Sequence, residues 1–188
     1  MFKEKKHKDS YTDEELVRLI VVSKDTHYFS FLYDRYAKFV YNKCFSFVDS
    51  EDEAKDLTHD IFIKIYVNLA TFKGNSKLST WIYAVTYNFC INYINKNKKE
   101  GKKQDISILD RVEIEEDDDL YEKELFEINY NKLEEILKQL DVHERAIILM
   151  KYQDELSIKE ICEILNISAS AAKMRLLRAK KKIMELRS

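Results

Sequence analysis

At 188 residues, with 45% hydrophobic and 12% aromatic side chains, the chain is long enough to build one ordinary core or two small ones. It holds no proline and only two glycines, which withholds the turn residues of all-β folds and points to an all-helical chain. The net charge of -2 is uninformative as a total, no stretch approaches the ~18 to 20 apolar residues of a membrane span, and MFKEKKHKDS lacks a signal peptide's apolar core. A cytoplasmic protein is expected.

Helix starts are marked by capping boxes, in which a Ser, Thr or Asp takes an orphan amide and a Glu three residues on reaches back. Thr12 with Glu15 opens a helix over 13–22, and apolar periodicity predicts a second over 27–48. Ser50 with Glu53 opens a third, over 51–71. Its stripe Ala54, Leu57, Ile61, Ile65 and Leu69 is expected in the core. The reverse side carries Asp52, Asp56, His59, Ile63, Tyr66 and Val67, and acids mixed with Ile and Val suit a protein interface. Helix two or the N-terminal helix covering that side is the alternative.

The next stretch, FKGNSKLSTWIYAVTYN at 72–88, holds one of the two glycines and the only tryptophan. Gly74 lets the backbone turn and expose Asn75, Ser76 and Ser79, ahead of a fourth helix over 79–96. Trp81 falls in the stripe Leu78, Trp81, Ile82, Val85 and Phe89, where it reads as a core anchor for the loop. Tyr83 and Tyr87 point the other way and either cover the bundle or approach a ligand. Cys44, Cys90 and Cys162 are odd in number, widely spaced and without a CxxC pair, so they read as buried small hydrophobes; neither a disulfide frame nor a metal site is indicated.

Charge is distributed unevenly beyond this point. Residues 96–104 carry 5 basic and 1 acidic side chains and residues 105–127 carry 2 and 11, a composition that cannot bury enough apolar surface to order itself. The expected organisation is a helical domain at 1–96, a flexible charged linker at 97–120 and a second helical domain at 121–188. Such a linker would span roughly 25 to 30 Å on average. The second domain is expected to contain helices over 121–139, 142–152, 158–165 and 169–186, with capping boxes at Asp141 with Glu144 and Ser157 with Glu160.

SIKEICEILNISASAAKMRLLRAKKKI reads as a helix-turn-helix. Asn166 suits the left-handed turn, and Ser168 caps the longer helix. Ala172, Leu176, Ala179 and Ile183 form a stripe expected to pack on Ile161, Cys162 and Leu165. The opposite face shows Ser170, Met174, Leu177 and Lys181, flanked by Lys173, Arg175 and Arg178. Residues 173–187 hold seven Lys or Arg against the single Glu185. Cap, turn, small inward residue and basic outward face together suit a helix laid in the DNA major groove, although a basic face alone would favour a solvated helix.

DLTHDIFIKIYVNLATFKGNSKLSTWIYAVTYN followed by SIKEICEILNISASAAKMRLLRAKKK resembles the two conserved regions of bacterial RNA polymerase sigma factors, sigma-70 family, extracytoplasmic-function type. The resemblance covers roughly 27–96 and 125–186. It implies that Asp56, His59, Asp60 and Ile63 bind the coiled coil of the polymerase's largest subunit, with the flap as a further contact. It implies that Lys73, Asn75, Ser76, Lys77, Ser79 and Asn88 read and open the minus-10 element. Ser170, Lys173, Met174, Arg175, Leu177 and Arg178 would read the minus-35 element, and the linker would thread through polymerase toward the RNA path. Many relatives are held inactive by a membrane-associated anti-sigma factor, although no residue here demonstrates one. His59 stands where Gln is usual, Ala84 where a basic residue is common and Ala171 where Thr is usual, which bears on promoter sequence rather than class.

The chain has no P-loop, no Gly-rich nucleotide motif and no HExxH, and its histidines at 7, 27, 59 and 143 have no ligand spacing, so neither an enzyme nor a cofactor is expected. The competing readings are a stand-alone helix-turn-helix regulator with an N-terminal interaction domain, and an interaction bundle without DNA binding.

Overall fold

The computed structural model describes residues 11–48, 50–97 and 128–187, together with Tyr121 and Leu125. Among the described residues every regular element is helical. The chain divides into two compact units, residues 1–99 and 100–188. Apart from Asn97, the last residue of a helix, the linker expected at 97–120 lies outside the described residues.

In the N-terminal unit, α1 (Asp13–Ser23) opens at Thr12, whose side chain and that of Glu15 exchange hydrogen bonds with each other's backbone N–H. It ends at Lys24 in the left-handed region, φ 53°, with the Lys24 N–H on Ile20 carbonyl at 3.0 Å. A residue with a Cβ is strained there by about 1–2 kcal/mol. Asp25 then caps α2 (Thr26–Phe45) by accepting the His27 N–H at 2.9 Å, a cap without a Glu three residues on. α2 ends three residues short of the expected 48, in a turn closed by Phe47 N–H on Cys44 carbonyl.

α3 (Glu51–Asn68) tightens into a 3-10 turn at Leu69–Thr71. Only half of its expected capping box forms. Ser50 accepts the Glu53 N–H at 3.5 Å, but the Glu53 carboxylate accepts the Tyr93 hydroxyl of α4 (Leu78–Asn97) at 3.0 Å. A cross-helix partner takes the group that would have reached back. Ala54, Leu57, Ile61, Ile65 and Leu69 are buried as expected, and each Leu or Ile contributes about 1.5–3 kcal/mol by leaving water. α2 packs against α1, α3 and α4, so it is the central helix of this unit.

The buried face of α4 is broader than the expected stripe. Leu78 and Ile82 are buried, but Trp81, Val85 and Phe89 are half-buried, while Tyr83, Thr86, Tyr87 and Cys90 lie in the interior. Contact with both α2 and α3 is the cause, since one apolar stripe covers only one neighbour. The two tyrosines therefore cover the bundle: Tyr83 packs edge-on against Phe39 and Tyr87 against Phe47.

In the C-terminal unit, the helix expected over 121–139 is interrupted. Tyr121 and Leu125 are helical, and Asn129 starts a new helix, α5 (Tyr130–Gln139), by accepting the Asn131 N–H at 3.0 Å. α6 (Val142–Ile148) opens at the Asp141 and Glu144 capping box and widens into a π turn at Leu149–Gln153, closed by Asp154 N–H on Leu149 carbonyl. α7 (Ile158–Leu165) opens at the expected Ser157 and Glu160 box. Asn166, at φ 52° and ψ 50°, turns the chain into α8 (Ala169–Arg187). α8 packs on α5, α6 and α7.

The buried line of α7 is Ile161 and Ile164; Cys162 and Leu165 are half-buried, a shift in helix phase that corrects the packing expected of this helix. Cys44 and Cys90 are fully buried as expected, whereas Cys162 is not.

Candidate nucleic-acid interface

The loop at residues 72–77 is held at both ends and open in the middle. Phe72 donates its N–H to Leu69 carbonyl at 3.1 Å and sets its ring 5.8 Å from that of Trp81, which is half-buried against the core. The anchoring role expected of Trp81 is thus seen together with Phe72. Between these anchors Gly74 takes φ +72°, and Lys73, Asn75 and Lys77 are exposed. Ser76 is half-exposed, as is Ser79 in the first turn of α4. Asn88 is exposed on α4, and Asn92 and Lys96 are exposed one and two turns further along. The i, i+4, i+8 spacing of these three polar residues is the sequence signal for the latter two.

On α8, Ala172, Leu176, Ala179 and Ile183 are buried, which turns the opposite face outward. Ser168 accepts the Ala171 N–H at 3.2 Å, and its hydroxyl lies 3.1 Å from that of Ser170. Ser170, Lys173, Arg178 and Lys181 are exposed, while Met174, Arg175 and Leu177 are half-buried. The seven cations of residues 173–187 are not equivalent. Lys180 is 1% exposed, with its ammonium 5.8 Å from the centre of the Tyr152 ring in the π turn. Lys182 is held by Glu144 of α6 at 3.0 Å. A helical projection with a basic face therefore overstates the charge that a phosphate would meet.

Among the described residues of its unit, the reverse side of α3 is largely uncovered. Asp56, His59 and Asp60 are exposed, Ile63 is 52% exposed and Val67 70%. The aromatic part of this face extends beyond α3: Tyr66 meets Phe29 at 4.9 Å, and the exposed Tyr33 of α2 meets Phe62 at 4.4 Å. Tyr33 falls outside the sequence-predicted set because it joins the face only through tertiary packing.

Two family matches bear on these surfaces. Sigma-70 region 2 matches residues 32–100, and Sigma-70, region 4 matches residues 130–183. The chain is 32% identical over 167 residues to the ECF RNA polymerase sigma factor SigW of Bacillus subtilis (strain 168), covering 83% of this chain and 87% of that protein. The chain belongs to the sigma-70 family, as a sigma factor of the extracytoplasmic-function type. It is 27% identical over 185 residues to the ECF RNA polymerase sigma-E factor of Escherichia coli (strain K12), covering 93% and 94% of the two chains. In fold it is similar to CnrH in complex with the cytosolic domain of CnrY, at TM-score 0.62, 19% identity and coverage of 93% and 96%. The sigma factor RpoE of Bartonella quintana, in complex with the anti-sigma factor NepR, is similar at TM-score 0.59, 19% identity and coverage of 84% and 95%.

Sigma factors direct RNA polymerase to promoters and are not enzymes. In this sigma factor the uncovered α3 face and the 72–77 loop belong to region 2, and the α7–α8 helix-turn-helix belongs to region 4. Among the described residues no group of three His, Cys, Asp or Glu is placed to hold a metal ion, and no helix is long and apolar enough to cross a membrane.

Proposed function

We propose a division of labour between three surfaces of this sigma factor. The α3 face, with Asp56, His59, Asp60 and Ile63, binds the largest-subunit coiled coil of core polymerase. The loop and α4, through Lys73, Asn75, Ser76, Lys77, Ser79 and Asn88, capture and read the minus-10 element. Asn92 and Lys96 extend that track. The outward face of α8, through Ser170, Lys173, Met174, Arg175, Leu177 and Arg178, reads the minus-35 element, with Lys181 as a further phosphate contact. Region 4 also meets the polymerase flap, the linker at 97–120 connects two separately docked domains at 1–96 and 121–188, and the complex works in the cytoplasm. An anti-sigma factor acting on this chain would cover the same α3 face.

The observation that carries the first assignment is the exposure of Ile63 and Val67 beside three exposed polar side chains, because a solvated helix face has no use for two such apolar groups. The second rests on the loop's construction: short hydrogen-bonding side chains presented on a backbone fixed at Phe72 and Trp81 suit an unstacked base. Magnitudes decide how much the chain does alone. Opening a stacked DNA step costs about 1.4 kcal/mol. Capturing one base returns about 1–3 kcal/mol. One loop therefore offsets the opening of one or two steps, and polymerase must supply the rest.

The test is a pull-down of core polymerase by full-length variants. Ile63→Asp and Asp56→Arg are expected to lose polymerase while keeping the melting behaviour of the parent; unchanged binding would remove the assignment of this face.

A further inference from the structure

The buried stripe Ala172, Leu176, Ala179 and Ile183 seats α8 in the C-terminal unit. Apolar packing is non-directional, however, and the roll of a helix about its own axis decides which side chains face outward. Two cations flank that stripe. At about 100° per residue, Lys180 lies about 70° to one side of its centre and Lys182 about 90° to the other. Both are tied to α6 and its π turn, at opposite ends of that segment. Lys182 Nζ lies 3.0 Å from Glu144 Oε2 and 3.4 Å from Oε1, in the first turn of α6. Lys180, buried, sets its ammonium 5.8 Å from the centre of the Tyr152 ring in the π turn.

The partners are themselves held. Glu144 Oε2 also accepts the Asp141 N–H at 3.1 Å, and the turn carrying Tyr152 is closed by Asp154 N–H on Leu149 carbonyl at 3.0 Å. The Lys182 pair is partly exposed, so it adds little to stability. What both contacts supply is direction, which a charge-assisted hydrogen bond and a cation over a ring have and apolar contact lacks.

We propose that Lys180 and Lys182 are positioning residues, a two-sided clamp that fixes the roll of α8 and so sets which side chains meet the minus-35 element. The inference rests on the reading of the outward face of α8 as the minus-35 reader. At the helix's outer radius of about 5–6 Å, a roll of about 20° shifts a side chain by about 2 Å. That shift breaks a hydrogen bond to a base edge. A long, flexible cation follows a phosphate through the same movement. Loss of the clamp therefore lowers sequence preference and leaves the salt dependence in place.

The experiment uses full-length variants bound to core polymerase, with DNA in which the farther upstream element is randomised. Sequencing of the bound DNA gives base preference, and a salt titration on the preferred sequence gives the slope. Lys180→Met together with Lys182→Gln should lower preference at the farther element on the order of fivefold. Preference at the nearer element and the salt slope should match the parent. Tyr152→Phe, which keeps the ring, should retain the preference that Tyr152→Leu loses. Glu144→Gln keeps a side chain that suits the cap but removes the charge, so it should reproduce the loss of Lys182→Gln and add nothing to it. If the double variant no longer melts as the parent does, Glu144→Gln and Tyr152→Leu decide in its place. Parent preference in these variants, a lowered salt slope, or an equal loss at both elements would each overturn the clamp. Arg175→Ala with Arg178→Ala separates the underlying reading. If that pair leaves both preference and slope at the parent's values, α8 is not the reader and the clamp falls with that assignment; if it lowers the slope while the clamp variants change nothing, the clamp alone is wrong.

Discussion

Gly74 turns the backbone at φ +72°, and a Cβ built there meets nothing within 4 Å, so the demand on this residue is conformational rather than steric. Gly74→Ala is therefore expected to destabilise the loop by about 1 kcal/mol. The larger effect should fall on promoter opening, read as permanganate reactivity of minus-10 thymines in the polymerase complex. Arg175 and Arg178 lie on the flanks of α8, half-exposed and exposed. Replacing both with Ala should weaken minus-35 binding across sequences and lower the salt dependence, by about 0.9 in slope for each phosphate no longer neutralised. A titration at several salt concentrations gives that slope, and an unchanged slope would place these residues off the phosphates. Tyr36 makes a different prediction. Burial first, and then the Asp13 carboxylate that accepts its hydroxyl proton, push its pKa well above the ordinary 10.0. Above pH 10.0 the unfolded chain loses this proton and the folded unit keeps it, so the folded state binds more protons and stability falls as pH rises. Thermal melts on either side of pH 10.0 should show a shallower decline for Tyr36→Phe than for the parent.

At the scale of helices, much of the architecture is legible because capping chemistry is local. Three of four expected boxes form in full, at Thr12, Asp141 and Ser157, and the left-handed turn at Asn166 stands where it was expected. Ser157→Ala should destabilise the C-terminal unit by about 1 kcal/mol in denaturant unfolding. What fails depends on a distant partner. Glu53 is drawn to Tyr93, forty positions on, and the broad buried face of α4 follows from having two neighbours. Lys24 and Glu155 adopt positive φ without being Gly or Asn, so their turns carry no local signature. The charge on α8 is over-read for the same reason. Lys180 meets Tyr152, and Lys182 meets Glu144 thirty-eight positions earlier, both pairings made by folding. On α3 the acidic and apolar residues of the exposed face were legible from periodicity, but Tyr33 was not, since α2 brings it there.

At the scale of the whole chain, region 2 and region 4 match separate stretches, and the proposed division gives polymerase binding and the reading of two DNA elements to different parts of one protein. On that proposal, carrying both parts in one chain makes the second binding event effectively intramolecular. These surfaces are proposed to act together on promoters once polymerase is bound. The most direct measurement is sequencing of transcript 5′ ends made on genomic DNA by core polymerase with and without the full-length chain. Chain-dependent starts that share two sequence elements upstream are expected, with Asn75→Ala and Ser76→Ala together changing the element nearer the start and Arg175→Ala with Arg178→Ala weakening dependence on the farther one. Starts that are the same with and without the chain, or variants that exchange these effects, would contradict the proposed division.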